Sequence, residues 1–416
     1  MEVDSKAINM CDFSFTESFE YKNFISTNEK ADTFKLRLKK FKDMPFDTDF
    51  AIKQIECRQK VNKKLPSLCN ELLYPTNLSI EQCTSEAIAQ FHASLFKGCE
   101  NVIDFTCGLG IDSYFISKAA KNLTSIELNP GVASVVAFNF RKLNADNITV
   151  ANADSEIFAK TIPYQKFAGF IDPSRRDKSD CQHRIFGIKD CTPNLDIMID
   201  HIKNKCDFLI VKASPMVDIT QTLKEYPQIS DIWIISIKNE CKELLFKLNF
   251  KNHSPNTYNN GISITTIDFE QEKTVIYDVK TNDLSPDIMN ATPEIGNLLF
   301  IPNSSILKSG LYGKLCSDFN LRKIATNSNI FIGNNIVPEF PGRIFGIIGI
   351  YTMAKKGIKD LRSKISSANV ACRNFHLSPD ELLKRLKIKE GGNDYIFATT
   401  THEQRQILLL CKKINA

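Results

Sequence analysis

The sequence lacks a hydrophobic run long enough to cross a membrane. Its longest apolar stretch, GIIGIY within Ile344–Met353, is far shorter than the ~20 residues that span a bilayer. The first residues, MEVDSKAINMCDF, contain no basic start followed by an apolar run, so no signal peptide is expected. The sequence therefore predicts a soluble cytoplasmic protein with no membrane partner.

Paired cysteine motifs are also missing. Thirteen cysteines are spread from Cys11 to Cys411, but no two of them form a C-x-x-C pair. In a chain of this length the pattern is typical of reduced thiols in a cytosol, and it argues against a disulfide framework and a zinc ribbon. No metal site is predicted.

Neither the charge nor the polarity of the chain is extreme. The 416 residues are 43% hydrophobic and 24% charged, which excludes wholesale disorder. The net charge of +5 is too small by itself to indicate a polyanionic partner. At roughly 150 residues per domain, the length predicts about three folded units.

The pattern of apolar residues changes along the chain. Residues 1 to about 70 carry apolar residues at three- and four-residue spacings, which predict helices. Between about 100 and 250, short apolar runs such as NVIDF and FAGFID alternate with helix-length segments, so we expect a doubly wound α/β domain. Beyond it, ISITTIDF and KTVIYDV alternate like two antiparallel strands, and SPDE (Ser378–Glu381) is typical of a capping box.

The motif VIDFTCGLGID is typical of a nucleotide-cofactor turn. An apolar strand ends at Asp104, and a turn with Thr106, Gly108 and Gly110 leads into a helix whose free N–H groups face the ligand. A dinucleotide site needs a third glycine, but that position is occupied by Ser113. A site for S-adenosylmethionine (SAM) instead needs an acid before the turn to hold the cationic amino-acid end, and Asp104 fits that role.

Three further acids follow the next three predicted strands. Glu127 is placed for a ribose diol, Asp154 for an adenine amino group, and Asp172 opens the run DPSRRD. Because the carboxyl ends of parallel strands meet at one edge of the sheet, we expect these acids in the ligand crevice. The alternative for any one of them is a helix cap or a turn residue.

A polar segment ahead of the first strand is another candidate. Gln82, Thr84 and Ser85 are placed to roof the cofactor pocket. The two hydroxyls could equally cap the helix that follows.

With these motifs the chain resembles bacterial class I SAM-dependent methyltransferases that carry a C-terminal THUMP-like domain. The matching segments are LSIEQCTSEAIAQF, VIDFTCGLGID, SIELNP, IDPSRRD, LIVKASPMVDI, NECKELL, EFPGRIF, CRNFHLSPDELLKRLKIKEGG and YIFATT, and they run from about residue 50 to the end. The resemblance implies a helical N-terminal segment (1–75), a Rossmann-like SAM-dependent methyltransferase domain (76–275), a small ferredoxin-like α+β domain (276–340) and a THUMP-like basic domain (341–416). It implies SAM as the cofactor and chemistry near the DPSRR run. THUMP-type modules accompany RNA modification, so the resemblance also points to RNA.

The run DPSRR is the catalytic candidate, through Asp172, Pro173, Arg175 and Arg176. Enzymes that methylate exocyclic amines show an aromatic residue in this run, and its absence here does not support amine methylation. The run is closer to the D-P-P-R of ring-carbon methylating RNA enzymes, which need a cysteine near the end of the fifth strand. Here that strand reads LIVKASP, without cysteine. The two arginines are suited to clamp a phosphate or a base edge, with a salt bridge to Asp177 as the alternative.

Two cysteines lie near these motifs. Cys241 is a conceivable substitute nucleophile, but a cysteine in an apolar strand is more often buried packing. Cys107, inside the glycine turn, is expected to fill space.

The positive charge is concentrated at the C-terminus. Residues 341–416 contain 14 Lys and Arg against 6 Asp and Glu, a net charge of +8, which leaves −3 on residues 1–340. Such a patch favours salt-dependent binding of a polyanion. Arg373, Lys384, Arg385 and Lys387 lie near aromatic or apolar residues and are predicted to bind RNA, although a solvated charged face is the alternative.

The sequence therefore predicts a SAM-dependent methyltransferase acting on RNA, either tRNA or rRNA, that the basic C-terminal module presents. An NAD-linked oxidoreductase is disfavoured by Ser113. A methyltransferase acting on a small molecule or a protein is an alternative. Another is a non-catalytic RNA-binding protein with a relic cofactor fold, which the intact acids on the first three strands argue against.

Overall fold

The computed structural model describes residues 13–175, 187–251, 261–270, 274–280 and 288–414. The chain divides into two compact units. The first contains Met1–Ile229 and Leu245–Ser254, and the second contains Ser230–Leu244 and Pro255–Ala416. No helix within the described ranges is long and apolar enough to cross a membrane.

The first unit opens with a helical segment, as the sequence predicts. Its elements are a short 3-10 helix at Ser14–Glu17, then α1 (Phe19–Asn28), α2 (Thr33–Arg37) and α3 (Thr48–Val61). Each α-helix starts at a capping side chain, because Ser18, Asp32 and Asp47 accept hydrogen bonds from N–H groups of the first turn. The helices hold together through an apolar cluster that includes Tyr21 and Ile52.

A parallel sheet forms the rest of the first unit. In chain order its elements are α4 (Asn77–Gln82), α5 (Glu86–Ser94), β1 (Asn101–Asp104), α6 (Ile111–Ser117), β2 (Asn122–Glu127), α7 (Pro130–Lys142), β3 (Ile148–Asn152), α8 (Ser155–Lys160), β4 (Phe167–Ile171), β5 (Ser174–Arg175), a 3-10 turn at Ile188–Asp190, β6 (Cys191–Thr192), α9 (Leu195–Ile202), β7 (Cys206–Ala213) and α10 (Ile219–Glu225). Five strands pair in parallel in the order β7-β4-β1-β2-β3. The chain order reverses between β1 and β4, which is where open α/β sheets bind ligands at the carboxyl ends of their strands.

The second unit is built mainly from antiparallel strands. Its elements are β8 (Ile229–Ile237), the first half of β9 (Glu240–Asn249, whose residues from Leu245 on belong to the first unit), β10 (Ser263–Phe269), β11 (Thr274–Lys280), β12 (Leu298–Pro302), α11 (Ser304–Ser309), α12 (Tyr312–Phe319), β13 (Arg322–Lys323), β14 (Phe331–Gly333), β15 (Gly342–Thr352), α13 (Lys355–Lys364), β16 (Ser367–Cys372), α14 (Pro379–Leu386), β17 (Lys389–Thr400) and β18 (Gln406–Ile414). The expected antiparallel pair is confirmed, since β10 and β11 pair along their whole length. The capping box that opens α14 is also confirmed, because Ser378 and Glu381 bond to each other's backbone N–H groups.

Seven of these strands form one sheet in the order β13-β14-β12-β15-β18-β17-β16. Strand β12 is buried throughout and pairs with the central strand β15 through the register Leu298↔Gly346 to Pro302↔Gly342. The boundary predicted between residues 340 and 341 therefore separates two strands that are hydrogen-bonded to each other. The division of the chain into four domains stays a prediction. The segments on either side of this boundary, predicted as the ferredoxin-like and THUMP-like domains, share one sheet.

Candidate cofactor site

The glycine turn between β1 and α6 needs its glycines for two different reasons. Gly108 and Gly110 both have positive φ angles, of +55° and +78°. A Cβ on Gly110 would lie 2.7 Å from the ring of Phe140 and 2.8 Å from Val136, so α7 packs directly against this glycine. A Cβ on Gly108 would meet nothing within 4 Å. Only Gly108 therefore faces open space, where a ligand can approach the turn.

Asp104, at the end of β1, is fully buried behind the turn. One carboxylate oxygen accepts from the N–H of Thr106 at 3.0 Å, and the other accepts from the hydroxyl of Ser113 at 2.5 Å. Ser113 lies 2.6 Å from the hydroxyl of Ser125. The residue that replaces the third glycine is thus the partner of the strand-end acid. Asp104 therefore lies behind the turn with no exposed surface, and its contact with SAM stays a prediction.

Burial also changes the acidity of Asp104. It raises the pKa of this carboxyl to about 7, and the nearby charges of Asp112 and Asp172 act in the same direction. The hydrogen bonds from Ser113 and Thr106 oppose this effect without cancelling it. The side chain consequently changes charge near neutral pH.

The next two acids lie where the sequence places them. Glu127, at the end of β2, accepts from the N–H of Gly108 at 2.9 Å and from the N–H of Asn129 at 2.8 Å, so it meets the open side of the turn. Burial raises its pKa. Asp154, just after β3, caps α8 by accepting from the N–H groups of Glu156 and Ile157. Asp154 therefore acts as a helix cap, as the alternative in the sequence analysis predicts.

The fourth acid, Asp172, is tied to the turn through its backbone. Its N–H donates to the hydroxyl of Thr106 at 2.6 Å. Because β4, β1, β2 and β3 are neighbours and parallel, all four acids follow strands that end at the same edge of the sheet. The sequence-predicted set Asp104, Thr106, Gly108, Glu127 and Asp172 is therefore brought together.

The structure adds Lys212, Asp112 and His92, which sequence reasoning missed, and links them to the candidate Thr84. Lys212, on β7, is 9% exposed, and its Nζ donates to Asp172 at 2.7 Å and to the hydroxyl of Thr84 at 3.1 Å. Thr84 donates to Asp112 at 2.6 Å, and the other oxygen of Asp112 lies 2.8 Å from Nδ1 of His92. A continuous polar chain thus links α5, the start of α6, and the ends of β7 and β4. The available signal was the lysine within the apolar strand LIVKA, since a buried lysine is rare unless it is paired.

The pKa of Asp112 is lowered, whereas the pKa of Asp104 is raised. Burial alone would raise the pKa of Asp112, but the charge and hydrogen bond of His92, the charge of Lys212 and the hydrogen bond from Thr84 lower it to about 2. The polar chain therefore holds a permanent negative charge beside an acid that titrates near neutrality.

The remaining candidate residues of the first unit differ in exposure and in their hydrogen bonds. Gln82 is exposed at the end of α4, and Ser85 starts α5 without a side-chain capping bond. Pro173 is half-buried and leads into β5, where Arg175 pairs through its backbone with Cys191. Arg176 lies outside the described residues.

Neither candidate thiol is a poised nucleophile. Cys107 is buried in a cluster with Val136 and Phe140, and burial raises its pKa well above the usual range. Cys241 belongs to the second unit, where burial raises its pKa to about 11. Among the described residues, no group of three or more His, Cys, Asp and Glu side chains is arranged to hold a metal ion.

Two known domain families match segments of the second unit. The THUMP domain-like family matches residues 342–413, and a ferredoxin-like domain family matches residues 298–341. The chain ends in a THUMP-like domain. No curated protein sequence matches the chain significantly.

Comparison with solved structures shows the fold. The crystal structure of a "putative methyltransferase" from Porphyromonas gingivalis W83 superposes with a TM-score of 0.83 at 24% identity, over 95% of this chain and 98% of that one. An rRNA methylase from Streptococcus thermophilus matches 40% of this chain and 96% of its own at 14% identity, but its TM-score of 0.29 is too low to support an argument. The predicted fold class, a Rossmann-like α/β domain with ferredoxin-like and THUMP-like units, is confirmed.

The THUMP-like domain carries seven of its 14 Lys and Arg residues on two helices. α13 and α14 pack through Leu361, Leu382 and Leu386 on one face of the seven-stranded sheet. Among the predicted RNA-binding residues, Lys384 and Arg385 are exposed on α14, and Lys387 is exposed at its C-terminal end. Arg373 differs, because it is half-buried, and burial together with the charge of Arg343 lowers its pKa.

Proposed function

We propose that the protein is a SAM-dependent methyltransferase that acts on RNA. The observation that carries the proposal is the edge of the parallel sheet in the first unit. There a glycine turn with one open side lies beside acids that follow four adjacent strands. The fold shared with the Porphyromonas gingivalis protein and the THUMP-like domain at residues 342–413 support the same conclusion.

The residues at this edge fit the cofactor. Gly108 leaves room for a ligand against the backbone, and Glu127 meets it with a carboxylate that is only partly buried. Each carboxylate oxygen has two lone pairs, so Glu127 can accept from a ribose diol while keeping its backbone bonds. Asp154 is half-buried, and we expect it to accept a hydrogen bond from the adenine amino group. Gly110 and Asp104 shape the turn from behind, and we expect Gln82 to roof the pocket.

SAM, when bound, supplies a methyl group on a positively charged sulfur. The chain's own part is to hold the methyl acceptor in line with that group, since alignment provides much of the rate enhancement in such transfers. Asp172 is the acceptor-facing residue we infer, because its side chain is 38% exposed while Lys212 fixes its direction from the buried side. A carboxylate so held can accept a hydrogen bond from an N–H or O–H group of the acceptor. Pro173, Arg175 and Arg176 complete the proposed catalytic run.

The RNA part of the proposal depends on charge. The last 76 residues have a net charge of +8, and the exposed side chains on α14 belong to that excess. Phosphate contacts of this kind give affinity without sequence specificity. Arg373, Lys384, Arg385 and Lys387 are the residues we expect to contact RNA.

Cofactor binding is tested by calorimetric titration of the purified chain with SAM, S-adenosylhomocysteine and NAD. The Glu127→Ala variant should bind SAM about 10- to 100-fold more weakly, as expected for the loss of hydrogen bonds to a charged group. Glu100→Ala is the matched control, since Glu100 forms only an exposed pair with Lys121. Binding of NAD in place of SAM would refute the cofactor assignment.

The substrate is tested by mass spectrometry of nucleosides from the RNA of a strain that lacks this protein. A methylated nucleoside that disappears, and returns when the gene is restored, identifies the base. If the protein binds SAM but every RNA nucleoside is unchanged, the acceptor is a small molecule or a protein.

A further inference from the structure

A second polar site lies among the N-terminal helices, away from the glycine turn. A cleft of about 450 Å³ is lined by side chains of α1, α3 and α7 and by the segment after α3. Its inner wall contains Tyr21, which is 2% exposed, and Arg58. None of its lining residues belongs to the cofactor site, so the inference below does not rest on the proposed function.

Two donors on the inner wall have no partner. The hydroxyl of Tyr21 and the Nε of Arg58 are buried and form no hydrogen bond within the described part of the chain. Buried polar groups are almost always bonded, and an orphan costs the free energy of its lost hydration. The Tyr21 ring contacts Phe15 and Phe46 edge to face, so packing accounts for the position of the ring. Packing does not account for a buried hydroxyl that forms no hydrogen bond within the described residues.

The cleft is lined by three cations, Lys22, Arg58 and Lys142, and by three carboxylates, Glu17, Glu29 and Glu71. Lys22 pairs with Glu17 at 2.7 Å, and Lys142 lies 3.6 Å from Glu71 and 3.9 Å from Glu17. Arg58 forms no salt bridge with any described residue. An arginine that is partly buried without a counter-ion, beside an orphan hydroxyl, matches what an anion requires.

We infer that this cleft binds the phosphate group of a small polar molecule. Arg58, Tyr21 and Lys142 approach from three different elements, α3, α1 and α7, which suits an anion with oxygens on several sides. The volume exceeds what the anion alone fills and lies within the range of ligand clefts. The exposed rim, which includes Glu29 and Asn70, contacts the polar remainder of the molecule.

The test measures binding of inorganic phosphate, uridine 5′-monophosphate, uridine and acetate to the full-length protein by calorimetry and thermal shift. Phosphate and the nucleotide should bind, and Arg58→Met should weaken both about 10- to 100-fold because it removes a charged donor. Tyr21→Phe should weaken both about tenfold, the equivalent of one hydrogen bond. Arg37→Met is the matched control, because Arg37 pairs with Glu56 outside the cleft. Its affinities should stay within twofold of the wild type.

Thermal stability without ligand gives an independent readout. Tyr21→Phe removes an orphan hydroxyl and should raise the Tm. Tyr74→Phe should lower it, since the equally buried Tyr74 hydroxyl donates to the carbonyl of Cys69 at 2.8 Å. Tighter binding of the nucleotide than of inorganic phosphate identifies a phosphorylated metabolite or RNA end, and equal binding identifies the free ion.

Four results would overturn the inference. The first is no binding of either phosphate probe, and the second is equal binding of these probes by Arg58→Met and the wild type. The third is equal binding of acetate, which would remove the assignment to phosphate. The fourth is a lower Tm for Tyr21→Phe, which would mean that water already satisfies the hydroxyl.

Discussion

The Asp104→Asn substitution should stabilise the protein in a pH-dependent way. In the folded chain the pKa of Asp104 is raised from 3.8 to about 7 by burial. Because the folded state holds this proton more tightly than the unfolded state does, stability falls as the pH rises toward and through the folded pKa. Asparagine preserves the shape and does not titrate. Its amide can donate to Ser113, whose hydroxyl then donates to Ser125.

The size of the effect follows from the shift. A rise of the pKa from 3.8 to about 7 corresponds to about 4 kcal/mol of unfolding free energy once the carboxyl is fully ionised in both states. At pH 5 only about 1–2 kcal/mol of that difference is present, because the folded carboxyl is still protonated. The advantage of Asp104→Asn over the wild type should therefore grow by about 2–3 kcal/mol between pH 5 and pH 8.

Urea unfolding followed by far-ultraviolet circular dichroism at several pH values measures this difference. Fluorescence is less suitable, because the single tryptophan, Trp233, belongs to the second unit. Asp112 does not interfere, since its pKa is lowered to about 2 and its stabilisation is lost only below about pH 4. Asp146→Asn, an exposed change, is the control. A pH-independent difference between Asp104→Asn and wild type would show that Asp104 is ionised throughout and refute the reasoning.

Four further variants test the turn, the polar chain and the basic face. Gly110→Ala should destabilise the protein by about 2–4 kcal/mol, from backbone strain and the clash with α7, whereas Gly108→Ala should cost about 1 kcal/mol; thermal melts compare them. Lys212→Met should lower methyl transfer about 10- to 100-fold with SAM affinity unchanged, measured by single-turnover assay and calorimetry, and equal rates would contradict a positioning role for Lys212. The double change Lys384→Glu and Arg385→Glu should weaken RNA binding and flatten its salt dependence by about two units of slope, and an unaltered slope would exclude α14 from the interface.

Most of the candidate site follows from local sequence rules. The apolar run before Asp104 and the two glycines after it define a strand, a turn and a helix start, and each forms as expected. The acids after the next strands lie at one edge because parallel pairing leaves no other arrangement. The antiparallel pair β10–β11 and the capping box at Ser378 were predictable for the same reason, since their patterns span only a few residues.

What escaped prediction depends on contacts between distant segments. Lys212 donates to Thr84, which lies 128 positions earlier in the chain. No sequence pattern around either residue predicts this contact. Ser113 was treated as a missing glycine, although its hydroxyl holds Asp104. The reason for Gly110 also came from elsewhere in the chain, because its space is filled by a helix that begins 20 residues later.

The pairing of β12 with β15 bears on how this architecture can be recombined. The ferredoxin-like match ends at residue 341 and the THUMP-like match begins at residue 342, yet a chain cut at that point would leave the buried edge of β12 without its partner. Unpaired strands of this kind invite aggregation. A graft of the THUMP-like domain onto another protein should therefore carry residues 298–414 as one cassette. Gene fusions that preserved the module would have had to transfer both parts together.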